Sequence, residues 1–189
     1  MEQTEFLYKG RVFDLVKERV QLPNGKASEY EIIHHRGAVV LLPSLGGNQY
    51  LLIHQYRPSL HRTLWEFPAG TLEAGENTRR AAARELKEET GYRAGSLKKV
   101  LEFYPSPGLT TEKMYLFLAK GLRIHGGHAR PILDLDEDEI LVPKVFSLRQ
   151  LEKMVQQGDI IDAKTIIGVW YLQSTRRKVK PIRRRATQK

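Results

Sequence analysis

Cysteine is absent from the 189 residues. Disulfides, thiolate catalysis and cysteine-ligated zinc are thereby excluded, and a reducing, cytoplasmic setting is the expectation. Long apolar runs are missing too. A stretch such as Ala38 to Leu42 falls far short of the roughly 20 residues a membrane helix needs, so no membrane partner is expected. The opening MEQTEFLYKG has no basic stretch followed by an apolar one, so no secretory leader is expected. What remains is ordinary: 41% hydrophobic and 28% charged residues, which excludes a wholly disordered or collagen-like chain. The length suits one compact domain with at most a small appendage.

Acidic residues are scarce at one end only. From Arg176 to Lys189 there are eight Lys and Arg and no acid, which accounts for eight of the nine net positive charges. The body is thus nearly neutral. Residues 175–189 read as a basic, disordered tail, and nucleic acid is expected as a partner only through it.

The first 36 residues read as strands, with Val12–Lys17 and Glu29–His34 joined through an Asn24-Gly25 hairpin turn. Further strands are expected at Gly37–Leu42, Tyr50–Tyr56, Leu64–Phe67, Val100–Tyr104, Met114–Ala119 and Glu139–Phe146. Helices are expected at Thr78–Thr90, closed by Gly91, from Ser147 to Gly158 with a Ser147/Gln150 capping box, and from Asp162 toward Leu172. The sum is a mixed sheet with about three helices, an α+β fold or an α/β sandwich.

The chemistry concentrates in GTLEAGENTRRAAARELKEETGY, Gly70 to Tyr92. On a helix, Glu85 and Glu89 lie about 40° apart and Glu88 about 60° to the other side of Glu85. Three carboxylates then crowd one face and repel. Such hard oxygen ligands suit Mg²⁺ or Mn²⁺, with a substrate phosphate completing the shell. Arg84 is placed to pair with one acid, and Glu76 to reach the helix N-terminus. A solvated Glu-rich helix face is the plainer alternative on these residues alone.

The same segment resembles the Nudix box, matching at Gly70, Glu76, Arg84, Glu85, Leu86, Glu88, Glu89, Gly91 and Tyr92. Three further segments resemble the ADP-ribose pyrophosphatase and nucleoside-diphosphate-sugar hydrolase branch: His54–Pro58 with Leu64–Gly70, Ser106–Glu112, and Asp162–Thr165. The resemblance implies a Nudix α/β/α sandwich over residues 37–174, preceded by a small N-terminal antiparallel sheet over residues 1–36 that serves dimerisation.

It also implies an activity: Mg²⁺-dependent cleavage of the pyrophosphate of ADP-ribose or a related nucleotide sugar, giving a nucleoside monophosphate and a sugar phosphate. By the same resemblance Glu85, Glu89 and the Ala69 carbonyl are metal ligands, with Glu88 additional. Arg84 and Glu76 orient them. Glu137 or Glu139 serves as base, the other reaching a metal, and the sequence does not choose between them. Arg57 grips phosphates, Gly108 lets its loop approach the substrate, and Glu112 reaches the terminal ribose across a homodimer interface. Tyr30 and Glu31 stand where the branch often carries an Arg-Glu pair that holds the base, so GDP-mannose is the alternative substrate. Trp65 reads as core, and Glu66 as a strand-end or site residue. A Nudix-fold ligand sensor or nucleic-acid-binding regulator, and hydrolysis of RNA caps or dinucleoside polyphosphates, are the competing readings.

Overall fold

A computed structural model describes residues 4–137 and 139–177. The tail reading falls mainly on residues 178–189, outside the described ones.

Two sheets organise the chain. The first is antiparallel: β1 (Thr4–Lys9), β2 (Phe13–Gln21) and β3 (Ala27–His35), in that order. The second has seven strands. Its main path runs β10 (Leu141–Ser147), β5 (Gln49–Arg57), β4 (Ala38–Gly46), β9 (Met114–Ile124), β8 (Tyr92–Phe103). β6 (Arg62–Glu66) pairs with β5, and β7 (Ala69–Thr71) with β4. β4 and β9 run parallel, with Ala38 opposite Met114 and Pro43 opposite Ala119. Parallel neighbours need both faces covered. β4 answers with AVVLL: Val39 and Leu41 face α1 (Thr78–Thr90), while Val40 and Leu42 join the core with α2 (Leu148–Gln157) and α3 (Ala163–Arg177). The result is the expected α/β/α sandwich with a mixed sheet and a small N-terminal sheet.

Several elements differ from expectation. β1 was not anticipated as a separate strand; its six residues are all exposed, so it lacks the one-sided apolar alternation that marks a strand. Ala69–Thr71 forms a short strand against β4 that was not among the expected strands. β8 begins at Tyr92, not Val100, because pairing with β9 carries it through Gly95 and the Lys98-Lys99 pair. α3 continues to Arg177, past the expected domain boundary at residue 174.

The two sheets are joined at one seam. Leu109 accepts from the Ile33 amide at 3.0 Å, and the Thr111 amide donates to Ile33 at 2.9 Å. The loop carrying Gly108 and Glu112 is therefore docked on β3, the strand carrying Tyr30 and Glu31.

Candidate active site

The site grows out of α1. Asn77 caps its start, accepting from the Arg80 amide at 2.9 Å, and Gly91 ends it in the left-handed region at φ 70°. Ala81, Ala82 and Leu86 are buried against the sheet. That orientation turns Glu85 and Glu89 inward as well, and both are buried.

Gly70 explains how Glu85 fits. A β-carbon at residue 70 would lie 1.9 Å from a Glu85 carboxylate oxygen. Only a glycine lets strand β7 pass so close to the acid. Glu89 accepts one hydrogen bond, at 2.9 Å, from the Ala69 amide through Oε2. Its Oε1 is buried with no partner among the described residues.

Arg84 gathers the acids. It donates to Glu76 at 3.1 and 3.2 Å, to Glu85 at 2.6 Å, to Glu88 at 3.0 Å and to the Thr71 carbonyl at 3.2 Å. These contacts hold the Glu76 carboxyl below the usual carboxylate range. Glu85 behaves oppositely. Burial pushes it up to about 7, with Glu88 and Glu139 adding to the effect and Arg84 opposing it. Burial also drives Glu89 well above its ordinary value, reinforced by Glu85 and Glu139.

The candidate base loop is anchored to this helix. The Asp134 amide donates to the Glu88 carbonyl at 2.9 Å, and Lys87 pairs with Asp134 at 2.6 Å. Leu133 and Leu135 pack on Leu51, Ile53 and Leu141. Beyond them, Glu139 is partly buried, and its charge acts on both Glu85 and Glu89. Glu137 is exposed.

Arg57 reaches the site from the end of β5. It grips Glu66 with two bonds, Nε to Oε1 at 2.7 Å and Nη2 to Oε2 at 2.6 Å, and its charge steadies ionised Glu89. Glu66 ends β6 and is buried, its side chain 1% exposed. It also pairs with buried Lys164. Burial works to raise the Glu66 pKa, but the two cations win and hold it low.

The remaining candidates lie elsewhere. Tyr30 and Glu31 are exposed on β3, opposite Glu18 and Lys17. Glu112 lies 3.8 Å from His35 Nδ1. A β-carbon on Gly108 would meet nothing within 4 Å, so the protein itself imposes no close approach there. Lys164 carries no role in the sequence reading. Its signals there are its place two residues after Asp162, the expected cap of the last helix, and its membership of the Asp162–Thr165 segment that resembles the hydrolase branch.

Among the described residues, no three acidic or histidine side chains converge ready-made on one point. The donor chemistry nonetheless fits a hard divalent cation. Burial raises two carboxylates, Glu85 despite its pairing with Arg84, and one buried Glu89 oxygen lacks a partner among the described residues.

Fold and site together define an α/β/α sandwich protein built around an acid-faced helix. A family profile of the NUDIX domain matches residues 33–166. The chain is 42% identical over 169 residues to an ADP-ribose pyrophosphatase of Bacillus subtilis (strain 168), covering 89% of each chain. It is 39% identical over 171 residues to a methanol dehydrogenase activator of Bacillus methanolicus, covering 90% of each. A crystal structure of an ADP compounds hydrolase superposes with a TM-score of 0.76 at 23% identity, over 93% of this chain and 92% of the other. The chain belongs to the Nudix family and is a Nudix hydrolase.

Proposed function

We propose that this chain hydrolyses the pyrophosphate bond of ADP-ribose or a related nucleoside diphosphate sugar, with Mg²⁺ or Mn²⁺ as cofactor. The observation that carries it is the buried Glu85–Glu89 pair, both raised by burial beside an unpartnered carboxylate oxygen. The relative named ADP-ribose pyrophosphatase supports the substrate class.

The Ala69 carbonyl, Glu85 and Glu89 would hold the cation, with Glu88 supplementing them. When bound, such an ion offsets phosphate charge, polarises the phosphoryl group and makes water more acidic. Arg57 binds the substrate phosphates, its guanidinium already oriented by Glu66. Glu139, favoured over Glu137 by its position against the acid pair, takes a proton from the attacking water. Water oxygen bonds to one phosphorus and the bridging P–O bond breaks, so ADP-ribose yields AMP and ribose 5-phosphate. Arg84 and Glu76 keep the acids in register. Tyr30 and Glu31 on one side of the seam hold the base, while on the other Gly108 lets its loop approach the substrate and Glu112 reaches the terminal ribose across the homodimer interface.

Phe6, Leu7, Tyr8 and Phe13 leave much of the N-terminal sheet's apolar surface exposed. A homodimer would cover it, and light scattering should find two chains per particle. Tyr30 in place of an arginine keeps GDP-mannose as the second reading, through stacking on the base. Nucleic-acid binding through the basic tail is the competing reading: it requires that deleting residues 176–189 remove salt-sensitive binding and leave hydrolysis unchanged.

The test is incubation with Mg²⁺ and a panel of ADP-ribose, GDP-mannose, NADH and diadenosine polyphosphates, with chromatography of the products. Dominant AMP from ADP-ribose is the expected result. Preference for GDP-mannose would move the substrate, and no hydrolysis of any member would overturn the proposal.

A further inference from the structure

Resting on the proposed hydrolysis, we infer that Lys164 is a positioning residue for substrate phosphate, acting on Arg57 through Glu66. Nothing in the acid-faced helix requires this lysine. It enters from the opposite layer, on the first turn of α3, 98 residues from Glu66 in the chain. Its side chain is only 9% exposed. A lysine is rarely buried unless paired, and here both partners are named: Glu66, and Asp162 Oδ1 at 2.9 Å.

The geometry is a relay of opposite charges. Asp162 is fixed by α3 itself, accepting from the Thr165 amide at 3.0 Å and the Thr165 hydroxyl at 2.6 Å. The same hydroxyl oxygen accepts from the Phe67 amide at 2.8 Å, one residue after Glu66. The start of α3 is thus stapled to the strand end that carries Glu66. Asp162 seats Lys164, Lys164 seats Glu66, and Glu66 seats Arg57.

Two consequences follow for Arg57. Glu66 Oε2 is shared between both cations, so the carboxylate is pinned from behind and presents a fixed edge to the guanidinium. A fork held on both prongs cannot swing. The second consequence concerns charge. Arg57 and Lys164 against Glu66 and Asp162 make a balanced set, so Glu66 is not committed to Arg57 alone. Arg57, with its side chain still 34% exposed, keeps attraction for an anionic ligand. Without Lys164, Glu66 would have only Arg57 to neutralise it in a buried place. Arg57 would then be drawn inward, away from the phosphates.

The test is a double-mutant cycle in the full chain: Arg57→Ala, Lys164→Met and the pair, read as ADP-ribose hydrolysis with Mg²⁺. Lys164→Met should raise KM roughly ten- to a hundredfold, the scale of a charge-assisted hydrogen bond, with a much smaller change in kcat. In the Arg57→Ala background it should add little. Lys164→Arg should recover most of the loss. A purely structural lysine would cost the same with or without Arg57, and that additivity overturns the inference. Solvent exchange of the Arg57 Nε–H, followed by ¹⁵N NMR and assigned with Arg57→Lys, reads the relay without turnover. Slow exchange in the wild type and Lys164→Arg, and fast exchange in Lys164→Met, are expected; equal exchange in all three overturns the inference. Should Lys164→Met fail to fold, Lys164→Gln takes its place in both measurements. Failure of the functional reading shows separately, as a wild-type protein that cleaves no nucleotide sugar while the Arg57 signal still responds to Lys164.

Discussion

Glu66 and Glu89 are equally hidden, each with about 1% of its surface accessible, yet burial has opposite outcomes for them. Glu66 is held ionised by Arg57 on one side and Lys164 on the other. Glu89 has one backbone amide, a more distant Arg57, and two carboxylates, Glu85 and Glu139, pressing on it. The desolvation cost is similar in kind; the supply of positive charge is not. One acid belongs to a finished support. The other, on the proposed function, belongs to a place that a cation would complete. The same contrast separates the two arginines: Arg57 serves a single acid and stays available to ligand, whereas Arg84 is spread over Glu76, Glu85 and Glu88.

The most severe way to break the contrast is Glu89→Gln. A glutamine still accepts from the Ala69 amide, so circular dichroism should show the fold retained. Turnover should fall roughly 10³–10⁴-fold, equivalent to several kcal/mol of transition-state stabilisation. Near-normal kcat would remove Glu89 from the cation site. Next in size is the loop acid. Glu139→Gln should cost roughly a hundredfold or more in kcat, as expected for loss of a general base. Glu137→Gln should stay within a few-fold of the wild type, because that side chain is exposed and does not press on the acid pair. A reversal of those two results would exchange their roles.

Gly70→Ala probes the same acids through the backbone. The added carbon collides with the end of the Glu85 side chain, which can swing away, so the fold should survive. The displaced carboxylate should cost roughly ten- to a hundredfold in activity or metal affinity, the usual scale for disturbing ligand orientation. Activity titrated against Mg²⁺ concentration measures it, and an unchanged midpoint would contradict the close approach.

How much of this could be read from the chain depends on how local each signal is. α1 was legible almost to the residue, because Gly91, the alanine-rich interior and the Glu spacing are all local signals; its Asn77 cap was not read. The mixed sheet with three helices was legible from the strand and helix patterns, and the α/β/α sandwich from the resemblance of Gly70–Tyr92 to the Nudix box. β7 was not, since three residues beginning after a proline carry too little pattern, and its strand character comes from β4 beside it. The Glu66–Lys164 pair was invisible as a pair for the same reason at larger scale: no periodicity links residues 98 apart. Glu137 and Glu139 could not be told apart, because a run of acids carries no periodicity that separates them; what anchors the loop is the distant packing of Leu133 and Leu135 on Leu51, Ile53 and Leu141.

The smallest expected effect is on stability, where the two kinds of buried acid have opposite signs. Glu85 in the cation-free protein is raised to about 7, above the value near 4.3 expected when unfolded. Its contribution to folding is therefore fully present below about pH 4.3 and is lost as pH rises through about 7. Glu66 is lowered, so its contribution is present above the unfolded value and is lost as pH falls through its depressed folded value. Between pH 5 and 8 only the first effect operates, and the cation-free protein should melt at progressively lower temperature across that range. Glu85→Gln should flatten the slope, and Mg²⁺ should reverse part of it, because binding favours the ionised pair and releases protons. Melting curves in chelator at several pH values, repeated with Mg²⁺, measure all three. A slope that survives in Glu85→Gln would assign the titration to Glu89, whose pKa is raised for the same reason, and would leave the contrast with Glu66 intact. A cation-free wild-type protein with no slope would mean that the acids on α1 are as well supplied with positive charge as Glu66, and the difference between the two regions would be gone.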